Sequence, residues 1–202
     1  MGIVERRERE REKVRRQILD AARELFARRG YESVTMRAVA EAIEYSPPTI
    51  YNHFEDKEDL VQALCREDFT RLFSALNAGP HARDPVERIR RMGRAYARFA
   101  LDFPNHYRFM FMTAMVPDHK PNPDEPGWRS FELLLEACRE AVARGRLVGD
   151  APEAIAQVLW ASLHGASALL VTYGPEQFPC VPADPQLIEK TCENALRGFL
   201  AR

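Results

Sequence analysis

The chain has 202 residues, with 29 Lys and Arg against 30 Asp and Glu and a formal net charge of -1. That balance excludes a chain-wide basic footprint for nucleic acid, so any such footprint must be local. The length accommodates a sizeable core, in one domain or in a small domain fused to a larger one, and the absence of alternating β-branched runs excludes a sheet protein and predicts an all-α fold.

The first predicted helix runs from about 5 to 29, with Val14, Ile18, Ala21, Ala22, Leu25 and Phe26 on one face and Gly30 closing it. Its first turns carry Arg6, Arg7, Arg9, Arg11, Lys13, Arg15 and Arg16 against four glutamates. They form a helix extension or arm free to meet phosphate. The bland reading of these residues is a solvated face laced with Glu and Arg pairs.

Residues 35–60 read as two short helices joined by a tight turn. Thr35 is an N-cap for a helix whose Met36, Val39, Ala40 and Ile43 share a face, and the turn comes at Glu44 and Tyr45. Ser46 caps the next helix and Pro47 takes its first position, where a missing N–H costs nothing. Because Pro47 and Pro48 lack N–H groups, Ser46 is left to cap only the N–H of Thr49. Ile50 and Phe54 face inward, while Thr49, Tyr51, Asn52 and His53 point out from a helix too short to stand alone. Two such helices with a turn of three to four residues form a DNA-binding helix-turn-helix, whose second helix enters the major groove. The segment itself is acidic, which keeps open a head used for protein contacts only.

Asp56 reads as the N-cap of a fourth helix, followed by Glu58 and Asp59 in the first turn and by Leu60, Leu64, Phe69, Leu72, Phe73 and Leu76. A break spans 79–85. Ile89, Met92, Tyr96, Phe99 and Phe103 stripe a fifth helix, and Pro104 begins a sixth that is apolar almost all round and therefore expected to be buried. A Pro-rich loop covers 116–126. Three helices follow, at about 128–144, 152–173 and 185–201, for about nine in all.

Thr35, Ala40, Ala42, Ser46, Thr49, Ile50, Tyr51, Asn52, His53, Phe54, Lys57, Glu58 and Leu60 stand at the spacing of one signature, and the segment closely resembles that of the TetR family of bacterial transcriptional regulators. The resemblance implies a three-helix DNA-binding domain over 1–55 and a helical ligand-binding and dimerisation domain over 56–202. It implies a DNA surface of Arg37, Ser46, Pro47, Pro48, Thr49, Tyr51, Asn52, His53 and Lys57. Arg37 matches a position that reaches a guanine edge, and Tyr51, His53 and Lys57 match phosphate contacts. Where that family has Gly in the turn, this chain has Glu44. Positive φ there costs a non-Gly residue about 1 kcal/mol, which favours a turn of another type.

In that family the last two helices pair with their copies, which implies a homodimer interface of Ile155, Leu159, Ala166, Leu187, Ala195, Leu196 and Phe199. The alternative is that these residues close the chain's own core. Trp160, His164 and Gly165 resemble a trait of one subgroup that carries Trp, His and Gly in the penultimate helix. A single His on an apolar helix is more often a hydrogen-bonded core residue than a ligand contact. Tyr96, Phe99, Phe103, Tyr107, Met110, Met115, Trp128, Phe131, Trp160, His164 and Ser167 make a candidate small-molecule site. Taken singly they are core residues; together they exceed ordinary core usage and suit an adaptable apolar pocket.

The expected function is a sequence-specific regulator, a repressor by resemblance, released from a double-stranded DNA operator by a small apolar or aromatic effector. A helical protein-interaction module is the alternative. An enzyme is the weakest reading, since the sequence shows no nucleophile elbow and no phosphate-cradling Gly loop, and His53, His81, His106, His119 and His164 lack a sequence-evident partner. No cofactor or metal is expected. Cys65, Cys138, Cys180 and Cys192 are too scattered for a zinc site and fit free thiols in a reducing cytoplasm. The N-terminus has no apolar export region, and polar residues interrupt the longest apolar stretch, at 155–173, so no membrane span is expected.

Overall fold

The computed structural model describes residues 2–78, 82–112, 122–149, 151–177 and 186–201. Among these it has nine helices: α1 (Ile3–Arg29), α2 (Met36–Ala42), α3 (Pro47–Tyr51), α4 (Lys57–Leu76), α5 (Pro85–Asp102), α6 (Pro104–Met112), α7 (Pro126–Ala143), α8 (Pro152–Gln177) and α9 (Gln186–Arg197). One isolated bridge, Leu147 to Leu200, is the only β pairing among the described residues. The all-α expectation holds. The chain divides into two units, residues 2–68 with 105–112 and residues 69–104 with 122–201. The first therefore takes in the start of α4 and most of α6, beyond the boundary expected at 55/56.

In the first unit, α1 begins at Gly2, whose N–H donates to the Glu5 carboxylate at 3.1 Å, and ends at Gly30, whose positive φ of 75° returns its N–H to the Phe26 carbonyl. Ile18, Ala22 and Phe26 of α1 are buried, as are Val39 and Ala40 of α2, Ile50 of α3 and Leu60 and Leu64 of α4. From α6, Phe109 packs on Phe26 with ring centroids 5.8 Å apart. That helix is not buried all round, because Met112 at its end is exposed. Inside this unit lies a polar cluster with no counterpart in the sequence reading. Asp68 of α4, fully buried, accepts from Arg23 Nε of α1 at 3.0 Å on both oxygens and lies 2.9 Å from His106 Nδ1 of α6.

The turn after α2 corrects one expectation. Glu44 does adopt the left-handed conformation, with φ 59°. The Tyr45 N–H donates to the Ala40 carbonyl at 3.0 Å and the Glu44 N–H to the Glu41 carbonyl at 3.2 Å, the paired bonds of a Schellman motif. Satisfying two helix-end carbonyls offsets the left-handed strain of a residue that is not Gly.

The second unit is a four-helix arrangement. Its core joins Val86 and Ile89 of α5, Leu135, Cys138 and Ala141 of α7, Ile155, Ala156 and Leu159 of α8 and Leu196 of α9. α5 and α9 approach closely at Gly93, where an added Cβ would lie 2.9 Å from Cys192 Sγ. α8 is long and apolar enough to cross a membrane by length and composition, but Ile155, Ala156, Leu159 and Leu163 are core residues, which marks it as a buried helix of this bundle.

Candidate nucleic-acid interface and effector site

α3 is five residues long, and its position is set by Ile50 (0% exposed) and Phe54 (2%) beneath it. α4 is capped as expected, with the Asp59 N–H on Asp56 Oδ1 at 2.8 Å and the Glu55 N–H returned to Asp59 Oδ2 at 3.0 Å. These two anchors leave Ser46, Pro48, Tyr51 and Asn52 exposed and Pro47, Thr49 and His53 half-buried. Ser46 does not cap the helix through its side chain. Its hydroxyl meets the Thr49 hydroxyl at 3.1 Å, and the Thr49 N–H donates instead to the Ser46 backbone carbonyl at 2.9 Å.

Arg37 lies in the open on α2, its guanidinium held by Glu41 one turn later at 2.9 Å, so it reaches a base edge only by leaving that carboxylate. The Lys57 ammonium sits 3.9 Å from the centre of the Tyr31 ring, a cation–π contact that fixes its direction and that sequence reasoning missed. Two residues of the expected basic arm of α1 also reach this surface. Arg15 lies 4.5 Å over the Phe54 ring, and burial, followed by the nearby charges of Arg11 and Arg15, pushes the His53 imidazole below its usual range. The shift favours the neutral imidazole, which donates one N–H.

In the second unit the structure brings together part of the candidate effector set. Trp128 meets Phe131 at 6.5 Å, Phe131 meets Trp160 edge-on at 6.2 Å, and Trp160 meets His164 at 5.5 Å. His164 Nδ1 is 3.0 Å from the Tyr96 hydroxyl, and burial lowers its pKa. Trp128 and Trp160 remain 45% and 38% exposed, so the ladder has an accessible side. Phe99 is buried beside Phe103, which lies under Arg71 and is exposed. Three of the expected lining residues are placed otherwise. Ser167 is fully buried and its hydroxyl donates to the Leu163 carbonyl at 2.8 Å, which takes up its one donor. Tyr107 and Met110 are buried in the first unit. Met115 lies outside the described residues.

The expected dimer residues are also redistributed. Ile155, Leu159 and Leu196 are consumed in the chain's own core and Ala166 is buried, while Leu187, Ala195 and Phe199 are half-buried. The exposed large apolar residues of α8 are instead Val158, Leu169 and Tyr173, with Trp160 on the other flank of the buried stripe. An α8 that is apolar on most sides hides from its sequence which stripe faces inward.

Residues 18–64 match the family model for bacterial regulatory proteins of the tetR family, and residues 89–192 match a tetracyclin repressor-like C-terminal domain. The HTH-type transcriptional regulator UidR of Escherichia coli strain K12 is 38% identical over 80 residues, 40% of this chain and only 38% of that protein. The HTH-type transcriptional repressor AcnR of Corynebacterium efficiens is 32% identical over 145 residues, 68% of this chain and 71% of its own. Among solved structures, a tetR-family bacterial regulatory protein from Rhodococcus RHA1 superposes with a TM-score of 0.78 at 22% identity, covering 94% of this chain and 99% of that one.

Proposed function

Because this chain belongs to the TetR family of bacterial regulatory proteins, we propose that it is a cytoplasmic transcriptional repressor that binds a duplex operator as a homodimer and leaves it when a small apolar or aromatic molecule binds beside α5, α7 and α8. The observation that carries the DNA half is the placement of α3. A rigid floor of Ile50 and Phe54 supports a short helix whose Tyr51 and Asn52 are open to a groove, with Lys57 held on Tyr31 nearby. Asn52 supplies a paired donor and acceptor suited to a base edge, and Tyr51 and Lys57 supply phosphate contacts. Support for the effector half comes from the aromatic ladder and from the Tyr96 and His164 pair, the polar groups able to orient a ligand against it. Release follows only if the effector binds the arrangement unfit for DNA more tightly than the fit one.

An electrophoretic shift with genomic fragments, titrated with salt, tests the first half. Failure to shift any fragment at low salt would leave a protein-contact module. Both tryptophans of the chain lie in the ladder, so intrinsic fluorescence tests the second half. An aromatic compound that quenches it and weakens the shift supports release. A compound set that quenches nothing and releases nothing removes the effector site.

A further inference from the structure

α2 is seven residues long, and its anchors settle which way it faces. Met36, Val39 and Ala40 are buried, and Thr35 caps the start by accepting from the Ala38 N–H at 3.1 Å. Arg37 and Glu41 stand off that buried face, with side chains 80% and 64% exposed, and Arg37 Nε donates to Glu41 Oε1 at 2.9 Å. Among the described residues neither has another ion-pair partner. Glu32 and Glu44, the nearest other acids in the chain, are exposed and make no bond to Arg37. Ordinary helix stabilisation does not account for the pair. Its first turn holds no acid and its last turn no base. Arg37 sits by the N–H end and Glu41 by the carbonyl end, so each charge opposes the helix dipole. Arg before Glu at this spacing is also the weaker order of the two.

We propose that Glu41 sets how strongly Arg37 reads its base, by competing with a guanine edge for the same guanidinium. The proposal rests on the DNA-binding reading above and deepens it. To present its fork to guanine N7 and O6, Arg37 gives up a charge-assisted hydrogen bond. On a duplex without guanine at that position the guanidinium stays on Glu41 and gives up nothing. The preference for guanine is therefore a difference between two acceptors, and the carboxylate subtracts from it. The carboxylate left behind is cheap to leave, because Glu41 is largely solvated. Both the affinity for the operator and the discrimination at that base pair are tempered. A tempered affinity keeps release within reach, since an effector shifts the equilibrium only by its differential affinity for the two arrangements.

The test uses the full chain and a duplex that the wild-type protein selects from a random-sequence pool, together with versions in which single base pairs are swapped. Affinities are measured for wild type, Glu41→Gln, Arg37→Ala and the double variant. Both side chains are exposed, so the circular dichroism melts should match wild type. The position at which Arg37→Ala loses discrimination is the base pair that Arg37 reads. Glu41→Gln keeps the side-chain length and removes the charge. It should tighten binding to the selected duplex, and by about two- to fivefold more in the wild-type background than in the Arg37→Ala background, the range of an exposed ion pair. On the duplex swapped at that position the gain should be smaller, so that discrimination there rises. An equal gain in both backgrounds reduces Glu41 to a charge that repels phosphate and overturns the proposal, as does an equal gain on the swapped duplex. Weaker binding by Glu41→Gln overturns it too, because Glu41 would then be holding Arg37 in its reading position. An Arg37→Ala variant with wild-type discrimination at every position overturns it while leaving the DNA reading in place. A wild-type protein that selects no duplex overturns both.

Discussion

Removing Asp68 tests the buried ion pair at the centre of the polar cluster in the first unit. Its carboxylate is fully buried, and the Arg23 side chain facing it is 4% exposed. In Asp68→Ala the guanidinium keeps only Asp20 at 2.7 Å, itself largely solvated, and a long contact to Glu67 at 3.5 Å. Breaking a buried pair by deleting one partner costs about 3–5 kcal/mol, because the remaining charge is left uncompensated. That is a large share of a total stability of about 5–15 kcal/mol. For a chain of this size it corresponds to a melting point lowered by about 6–20 °C. Urea unfolding followed by circular dichroism and by tryptophan fluorescence measures it. Both tryptophans report the second unit, so divergence of the two curves would show the first unit melting separately. The double variant Arg23→Met with Asp68→Leu should recover most of the loss, since replacing both charges by apolar groups removes the desolvation penalty along with the attraction. A cost below about 1 kcal/mol for Asp68→Ala, or a double variant no more stable than the single one, would refute the claim that this pair is desolvated and coupled.

Gly93→Ala puts a methyl 2.9 Å from Cys192 Sγ and should destabilise by about 1–3 kcal/mol, with Cys192→Ala in the same chain restoring much of it in a thermal melt. Glu44→Gly removes the left-handed penalty at φ 59° and should raise stability by up to about 1 kcal/mol in urea, less whatever entropy the unfolded chain gains. His164 has its folded-state pKa lowered by burial, so below about pH 6.5 the unfolded chain binds the extra proton; stability should fall as pH drops through that value, and His164→Asn should flatten the slope. Leu169→Glu, on the exposed side of α8, should yield a monomer by sedimentation with helical content unchanged, whereas Leu196→Glu should unfold the chain because Leu196 is already core.

What the sequence disclosed depended on whether a physical signal was local. Thr35, Asp56 and Pro47 announce helix starts because a cap is a contact within three residues of its own backbone, and each sits where the pattern puts it. Ile50 and Phe54 were legible as the inward pair because α3 is too short to have any other docking face. Non-local partners were not legible. Lys57 on Tyr31 joins residues 26 positions apart through a ring face that no spacing rule marks. Asp68 did leave a trace: it falls in register with Leu60, Leu64 and Leu72, an acid in the apolar row of α4, while Arg23 falls in register with Leu19 and Phe26 on α1. One charge in an apolar row is an anomaly, and two of opposite sign on helices that must pack are a prediction.

α8 shows the opposite failure. Its apolar residues were counted as one broad surface, and the excess was assigned to a partner chain, so Ile155 and Leu159 were placed on the outside when α5 and α7 already cover them. Residues 155, 159, 163, 166 and 170 recur at helical spacing and are the buried stripe, while 158, 165 and 169 run along a flank about a quarter turn away. Periodicity alone gives two candidate stripes on such a helix. The choice between them is made by polar neighbours: the row through 158 and 165 also passes Gln157, Ser162 and Thr172, whose hydroxyls and amide favour a surface open to water or to a second copy of the chain over a sealed core.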